Sequence, residues 1–169
     1  MNEYTTIILY SPQLEMDKHI YVYLPKSYHQ SNKQYPVLYM HDGQNLFDDK
    51  LAFQNRGWRI MELYNEYANM PEVIIVGIES DGRSRTDQLI PYPFQFPKNI
   101  RFFGGKADLY LDFITETVKP LIDERYRTFQ NRKNTAIMGS RFGGVNTIYA
   151  ALKYKTFFGR FACVSGAFH

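Results

Sequence analysis

The chain has 169 residues, of which 44% are hydrophobic, 17% aromatic and 22% charged, with 20 Lys and Arg against 17 Asp and Glu. This length predicts one domain, residues 1–169, with room for a buried core. Ordinary apolar content and one cysteine exclude collagen-like, disordered and disulfide-stapled classes. A net charge of +3 without any Lys/Arg cluster gives no reason to expect a nucleic-acid partner.

The N-terminus has no basic region, and its first apolar stretch is only Ile7-Ile8-Leu9. Nothing approaches the ~18 apolar residues a membrane span needs, so a soluble, cytoplasmic protein without a membrane partner is expected. Residues 5–10 and 19–24 read as strands, rich in Ile, Tyr and Val and broken by Ser11-Pro12 and Pro25. Residues 37–40 form a short apolar strand ending at His41-Asp42-Gly43. Trp58, Met61, Leu63, Tyr64, Tyr67 and Ala68 recur at helical spacing. The apolar run 73–78 suits a strand covered on both faces.

Residues 80–105 carry turn formers (Asp81-Gly82, Pro91, Pro93, Pro97, Gly104-Gly105) and five aromatic side chains, Tyr92, Phe94, Phe96, Phe102 and Phe103. Two readings fit: the aromatics fasten a long loop to the body, or they line an apolar cleft. Residues 108–126 show one helical stripe, Tyr110, Ile114, Val118, Leu121 and Ile122, with Pro120 expected to kink or divide the helix. A strand at 135–138 runs into Gly139-Ser140-Arg141-Phe142-Gly143-Gly144 and then a helix, predicted to place Val145, Ile148, Tyr149 and Leu152 on its inner face. The last strand is 161–164. Strands alternating with helices indicate an α/β protein with a mostly parallel sheet and an antiparallel start.

A strand, a tight glycine turn and a helix is the pattern of a nucleophile elbow. There, small residues two before and two after the central position allow a sharp turn, and the central side chain stands above the sheet. Gly139 and Gly143 meet that need and Gly144 allows close packing, while the central position is Arg141.

The chain resembles the Putative esterase family of α/β-hydrolases, which groups esterase D-type, enterochelin esterase-like and feruloyl esterase-like enzymes with mycolyltransferases. The resemblance rests on Ile20-Tyr21-Val22-Tyr23-Leu24-Pro25, on Tyr35-Pro36-Val37-Leu38-Tyr39-Met40-His41-Asp42-Gly43-Gln44-Asn45-Leu46-Phe47, and on Val73-Ile74-Ile75-Val76-Gly77-Ile78. It continues through Gly105-Lys106-Ala107-Asp108-Leu109-Tyr110-Leu111-Asp112-Phe113-Ile114 and the elbow, all in the family's order. It implies an α/β-hydrolase sheet with helices on both faces, lacking the last strands. It further implies a nucleophilic serine at the position of Arg141 and oxyanion-hole N–H groups from Gln44 and Phe142. His41, Asp42 and Gly43 would lie at the substrate pocket, and the triad's acid and histidine would follow later in the chain.

Ser140 is a poor substitute nucleophile, because Met138 and Phe142 would then occupy the two positions that need small residues. His169 falls two strands short of where the family's histidine belongs. Arginine stays protonated and offers no lone pair for attack, so an esterase-family fold with disabled catalysis is expected. The alternative is a binding protein using Arg141 and the two amides as an anion site. Either way the expected ligand is a small ester or an anion. No cofactor is implied, and Asp48-Asp49, Asp123-Glu124 and the single Cys163 lack metal-ligand spacing. The apolar strand 161–164 would form an open edge, so a homo-oligomer through it is expected.

Overall fold

A computed structural model describes residues 3–80 and 82–168. His169, weighed above as a base, and Asp81 of the expected turn lie outside the described residues. The chain opens with a hairpin, β1 (Tyr4–Ser11) and β2 (Met16–Tyr23), antiparallel from Tyr4↔Tyr23 to Ser11↔Met16. β3 (Val37–His41), helix α1 (Ile60–Glu66) and β4 (Ile74–Ile78) follow. Next come α2 (Arg85–Leu89) and a small hairpin of β5 (Phe94–Gln95) with β6 (Phe102–Phe103). α3 (Ala107–Asp112) leads through a wider helical turn, Phe113–Val118, into α4 (Lys119–Arg125). β7 (Thr135–Ser140), α5 (Phe142–Lys153) and β8 (Arg160–Val164) complete the described chain.

Six strands form one sheet in the order β1-β2-β4-β3-β7-β8. β2 meets β4 antiparallel, and β4, β3, β7 and β8 then run parallel. This is the mostly parallel sheet with an antiparallel start that the strand pattern predicts. Alternation along β3 and β4 feeds two cores. Val37, Tyr39, Ile74, Val76 and Ile78 pack toward α3, α4 and α5, against Tyr110, Ile114, Val118, Ile122 and Ala150. Met40 and Ile75 pack toward α1, with Tyr21, Tyr23, Leu46, Phe47, Ile60 and Tyr64. Helices therefore cover both faces, and each central strand is apolar on both sides for that reason.

The expectation for the inner face of α5 needs correction, while that for Pro120 holds in part: regular α-helix resumes as α4 at Lys119 with Pro120 in its first turn, and backbone angles stay helical at Phe113 and Lys119 (φ −58° at both). The i→i+5 register of Phe113–Val118 absorbs it, since a proline lacks the N–H of a tight ladder and crowds the carbonyl four residues earlier. The inner face of α5 is Gly143, Asn146, Thr147 and Ala150, whereas Ile148 and Leu152 are 40% and 74% exposed. Small side chains let this helix sit close to β7 and β8, so the large apolar ones turn outward. No helix among the described residues is long and apolar enough to cross a membrane.

Candidate functional site

The site is built where β3 and β7, parallel neighbours, reach their C-terminal ends. In open α/β sheets this is the edge that presents loops and helix N-termini to ligands. β3 ends in His41, and Asp42 then takes left-handed angles (φ 57°, ψ 47°) to start a single turn, Gly43–Asn45. The Asn45 N–H closes that turn on the Asp42 carbonyl at 2.8 Å. Only glycine fits at Gly43, because a Cβ there would lie 2.5 Å from the Gly77 carbonyl carbon of β4. The Gln44 side chain is held by the Ser80 N–H, which donates to its Oε1 at 3.0 Å.

β7 passes into α5 through Arg141, at φ 54° and ψ −117°. A non-glycine residue in that region is held there only by its surroundings. The Arg141 N–H donates to the Val164 carbonyl at 3.1 Å, and its carbonyl accepts from Val145 (3.1 Å) and Ala167 (3.2 Å). Gly139 and Gly143 close the turn. A Cβ on Gly139 would lie 2.5 Å from His41 Cδ2 and 2.6 Å from the Gly143 carbonyl carbon. Gly144 faces Cys163 and Gly166 at similarly close range.

Gln44 and Arg141 line one cleft of about 690 Å³ with Ser80, Gly82, Arg85 and Thr86, and with Leu51 and Phe53 as its apolar wall. Among the described residues, neither the Gln44 nor the Phe142 N–H donates a hydrogen bond to the protein. Arg141 is exposed and has no ion pair among the described residues. Arg85 is neutralised: its Nε and Nη2 each reach an Asp42 carboxylate oxygen at 2.7 Å. The guanidinium also lies over the Phe142 ring, 5.6 Å from its centroid. Past Gln44 and Ser80 a second hollow of about 450 Å³ continues toward Asp17, His19, Tyr21 and Glu79.

The predicted residues do not all reach the cleft. His41, Asp42 and Gly43, expected at the pocket, are buried beneath it, because the Gly43–Gly77 approach draws this turn into the sheet. His41 is 3% exposed and acts as a spacer against Gly139 and Gly143, with Nδ1 2.9 Å from the Tyr110 hydroxyl. Burial pushes its pKa down to about 4, Arg85 adds to the shift and Asp42 opposes it, so the ring is neutral at pH 7. Ser140 is the last residue of β7, paired with Val164, and does not line the cleft.

The aromatic residues of 80–105 are absent from the cleft wall too. Phe94, Phe96 and Phe103 pack on one another, with Phe96 4.8 Å from Phe94 and 5.3 Å from Phe103, and Tyr92 meets Tyr149 edge-on. Sequence reasoning missed Arg85, Leu51 and Phe53. Arg85 sits in a polar stretch without periodicity, and no local signal pairs it with Asp42 forty-three residues away. Among the described residues no cluster of three or more His, Cys, Asp or Glu side chains could hold a metal ion.

Comparison with known proteins agrees with this architecture. YbbA of Bacillus subtilis (strain 168) is 29% identical over 148 residues, covering 87% of this chain and 56% of YbbA. The crystal structure of an IroE-like serine hydrolase from Shewanella oneidensis superposes with a TM-score of 0.74 at 27% identity. That match covers 92% of this chain and 48% of the hydrolase. The enterobactin esterase FES from Shigella flexneri shares the fold, with a TM-score of 0.73 at 19% identity over 98% of this chain and 37% of the esterase. The chain thus spans about half the length of YbbA and of the IroE-like hydrolase, and 37% of the esterase. The family model described as Putative esterase matches residues 11–169. With that match running from the end of β1 through both turns to residue 169, the protein belongs to the Putative esterase family.

Proposed function

We propose that the chain carries the oxyanion-hole half of a carboxylic-ester hydrolase site, with catalysis disabled in this form by arginine at the nucleophile position. The observation that carries this reading is Arg141 itself. It stands at the strained apex between β7 and α5, on the same cleft as Gln44, where the family resemblance implies a serine. A guanidinium remains protonated and cannot attack an ester carbonyl. The Gln44 and Phe142 amides depend on no side chain and would still face developing negative charge on a carbonyl oxygen.

The test is exposure to a fluorophosphonate probe and to a short-chain aryl ester. Neither covalent labelling nor turnover above background is expected. Labelling at any serine, or clear hydrolysis, overturns the reading.

A second reading has its own observation: Arg141, lacking an ion pair among the described residues, lines the cleft with Gln44, and the N–H groups of Gln44 and of the adjoining Phe142 have no acceptor among the described residues. This favours a binding role for an anion, a carboxylate or phosphate, helped by the positive end of α5. Titration calorimetry with acetate, inorganic phosphate and sugar phosphates tests it. Saturable binding that weakens in Arg141→Gln is expected, and no heat at millimolar ligand rejects it.

A further inference from the structure

We propose that Arg85 is a positioning residue that holds the Gln44 turn and the Phe142 turn in one fixed relation. The inference rests on the reading above that these two amides act as a pair. They come from turns nearly one hundred residues apart in sequence, on two different strands. Parallel pairing of β3 with β7 stops at Met40↔Met138, short of both turns. Contacts beyond the strand pairing therefore set their relative position; the His41 ring against Gly139 and Gly143 supplies the spacing, and a side chain that grips both turns would fix the orientation.

Arg85 has the geometry for this. Its planar fork binds both oxygens of Asp42 at 2.7 Å, and the Asp42 side chain is only 8% exposed. A two-point contact fixes orientation as well as distance, which a single ammonium cannot do. Asp42 is the left-handed residue from which the Gln44 turn springs. The same guanidinium rests over the ring of Phe142, the first residue of α5. Its own helix is anchored to α5, since the fully buried Asn146 donates from Nδ2 to the Leu89 carbonyl at 3.2 Å. α2 is thus a bracket, fastened to α5 by Asn146 and to the β3 turn by Arg85.

The experiment is amide hydrogen exchange and 1H–15N NMR on the ligand-free chain, comparing wild type with Arg85→Gln and Arg85→Lys. Arg85→Gln is expected to speed exchange at Asn45 at least tenfold and to shift the Gln44 and Phe142 amides, leaving Ile74–Ile78 of β4 unchanged. Arg85→Lys, which keeps the charge and loses the fork, should fall between. Unchanged exchange and shifts at both turns in Arg85→Gln overturn the proposal, as does an equal rise across β4. If Arg85→Gln fails to fold, the same comparison in Arg85→Lys decides. A parallel acetate and phosphate titration of wild type separates the two ideas. Silent Gln44 and Phe142 amides there would overturn the anion reading of the pair, while the ligand-free exchange data still decide whether Arg85 positions the turns.

Discussion

At the scale of single residues the site depends on contacts that leave no spare volume. Gly139 is the clearest case, since an added Cβ would meet both the His41 ring and the Gly143 backbone inside normal contact distance. Gly139→Ala is expected to destabilise the fold by about 1–3 kcal/mol, the range for overpacking a tight interior, measured as a lower urea midpoint at unchanged slope. His41 makes a pH prediction. In the unfolded chain its pKa returns to 6.5, while in the fold it is about 4. Between these values the unfolded state binds the extra proton, so stability is lost as pH falls from 6.5 toward 4 and the loss levels off below. The full effect is at most ~3 kcal/mol. Urea unfolding at pH 7 and pH 4.5 should show the decline, and His41→Gln should flatten it. The imidazole ring protons should not titrate above about pH 5.

At the scale of elements α5 shows how composition can misdirect. Hydrophobicity favours a stripe through Val145, Ile148, Tyr149 and Leu152, yet the buried stripe runs through Gly143, Asn146, Thr147 and Ala150. Asn146 and Thr147 are buried because each is satisfied, Asn146 Nδ2 by the Leu89 carbonyl and the Thr147 hydroxyl by the Gly143 carbonyl at 2.9 Å. Leu152→Lys is therefore expected to change stability by no more than about 0.5 kcal/mol. Ala150→Leu, packed between α5 and the core, should lose about 1–3 kcal/mol. Chemical denaturation of the two variants side by side checks the assignment, and the reverse ranking would refute it.

Across the whole molecule the sheet is covered unevenly. The α1 side is closed over β2, β4 and β3 but thins over β7 and β8, where Ala162 and Val164 are exposed. The outer edge of β8 has no partner strand among the described residues. After the exposed Arg160 at its start, it carries no charge or proline of the kind that protects natural edges. Association of two chains through this edge is expected at tens of micromolar. Light scattering should report a dimer or larger species, and Val164→Lys should return it to monomer. A monomeric wild type would count against it.

Much of the architecture was readable from local pattern. The apolar runs at 37–40, 73–78 and 135–138 fall in the central strands Val37–His41, Ile74–Ile78 and Thr135–Ser140, and the glycines around Arg141 form a sharp strand-to-helix turn. These are consequences of side-chain volume and alternation within a few residues, which a sequence carries directly. The motif order also pointed to the family. Tertiary structure alone decided that His41 is a buried spacer, that Leu51 and Phe53 wall the cleft, and that Asp42 belongs to Arg85. Each of those facts is a contact between segments far apart in the chain. Such contacts depend on how strands and helices settle against one another, and no pattern within a single segment encodes them.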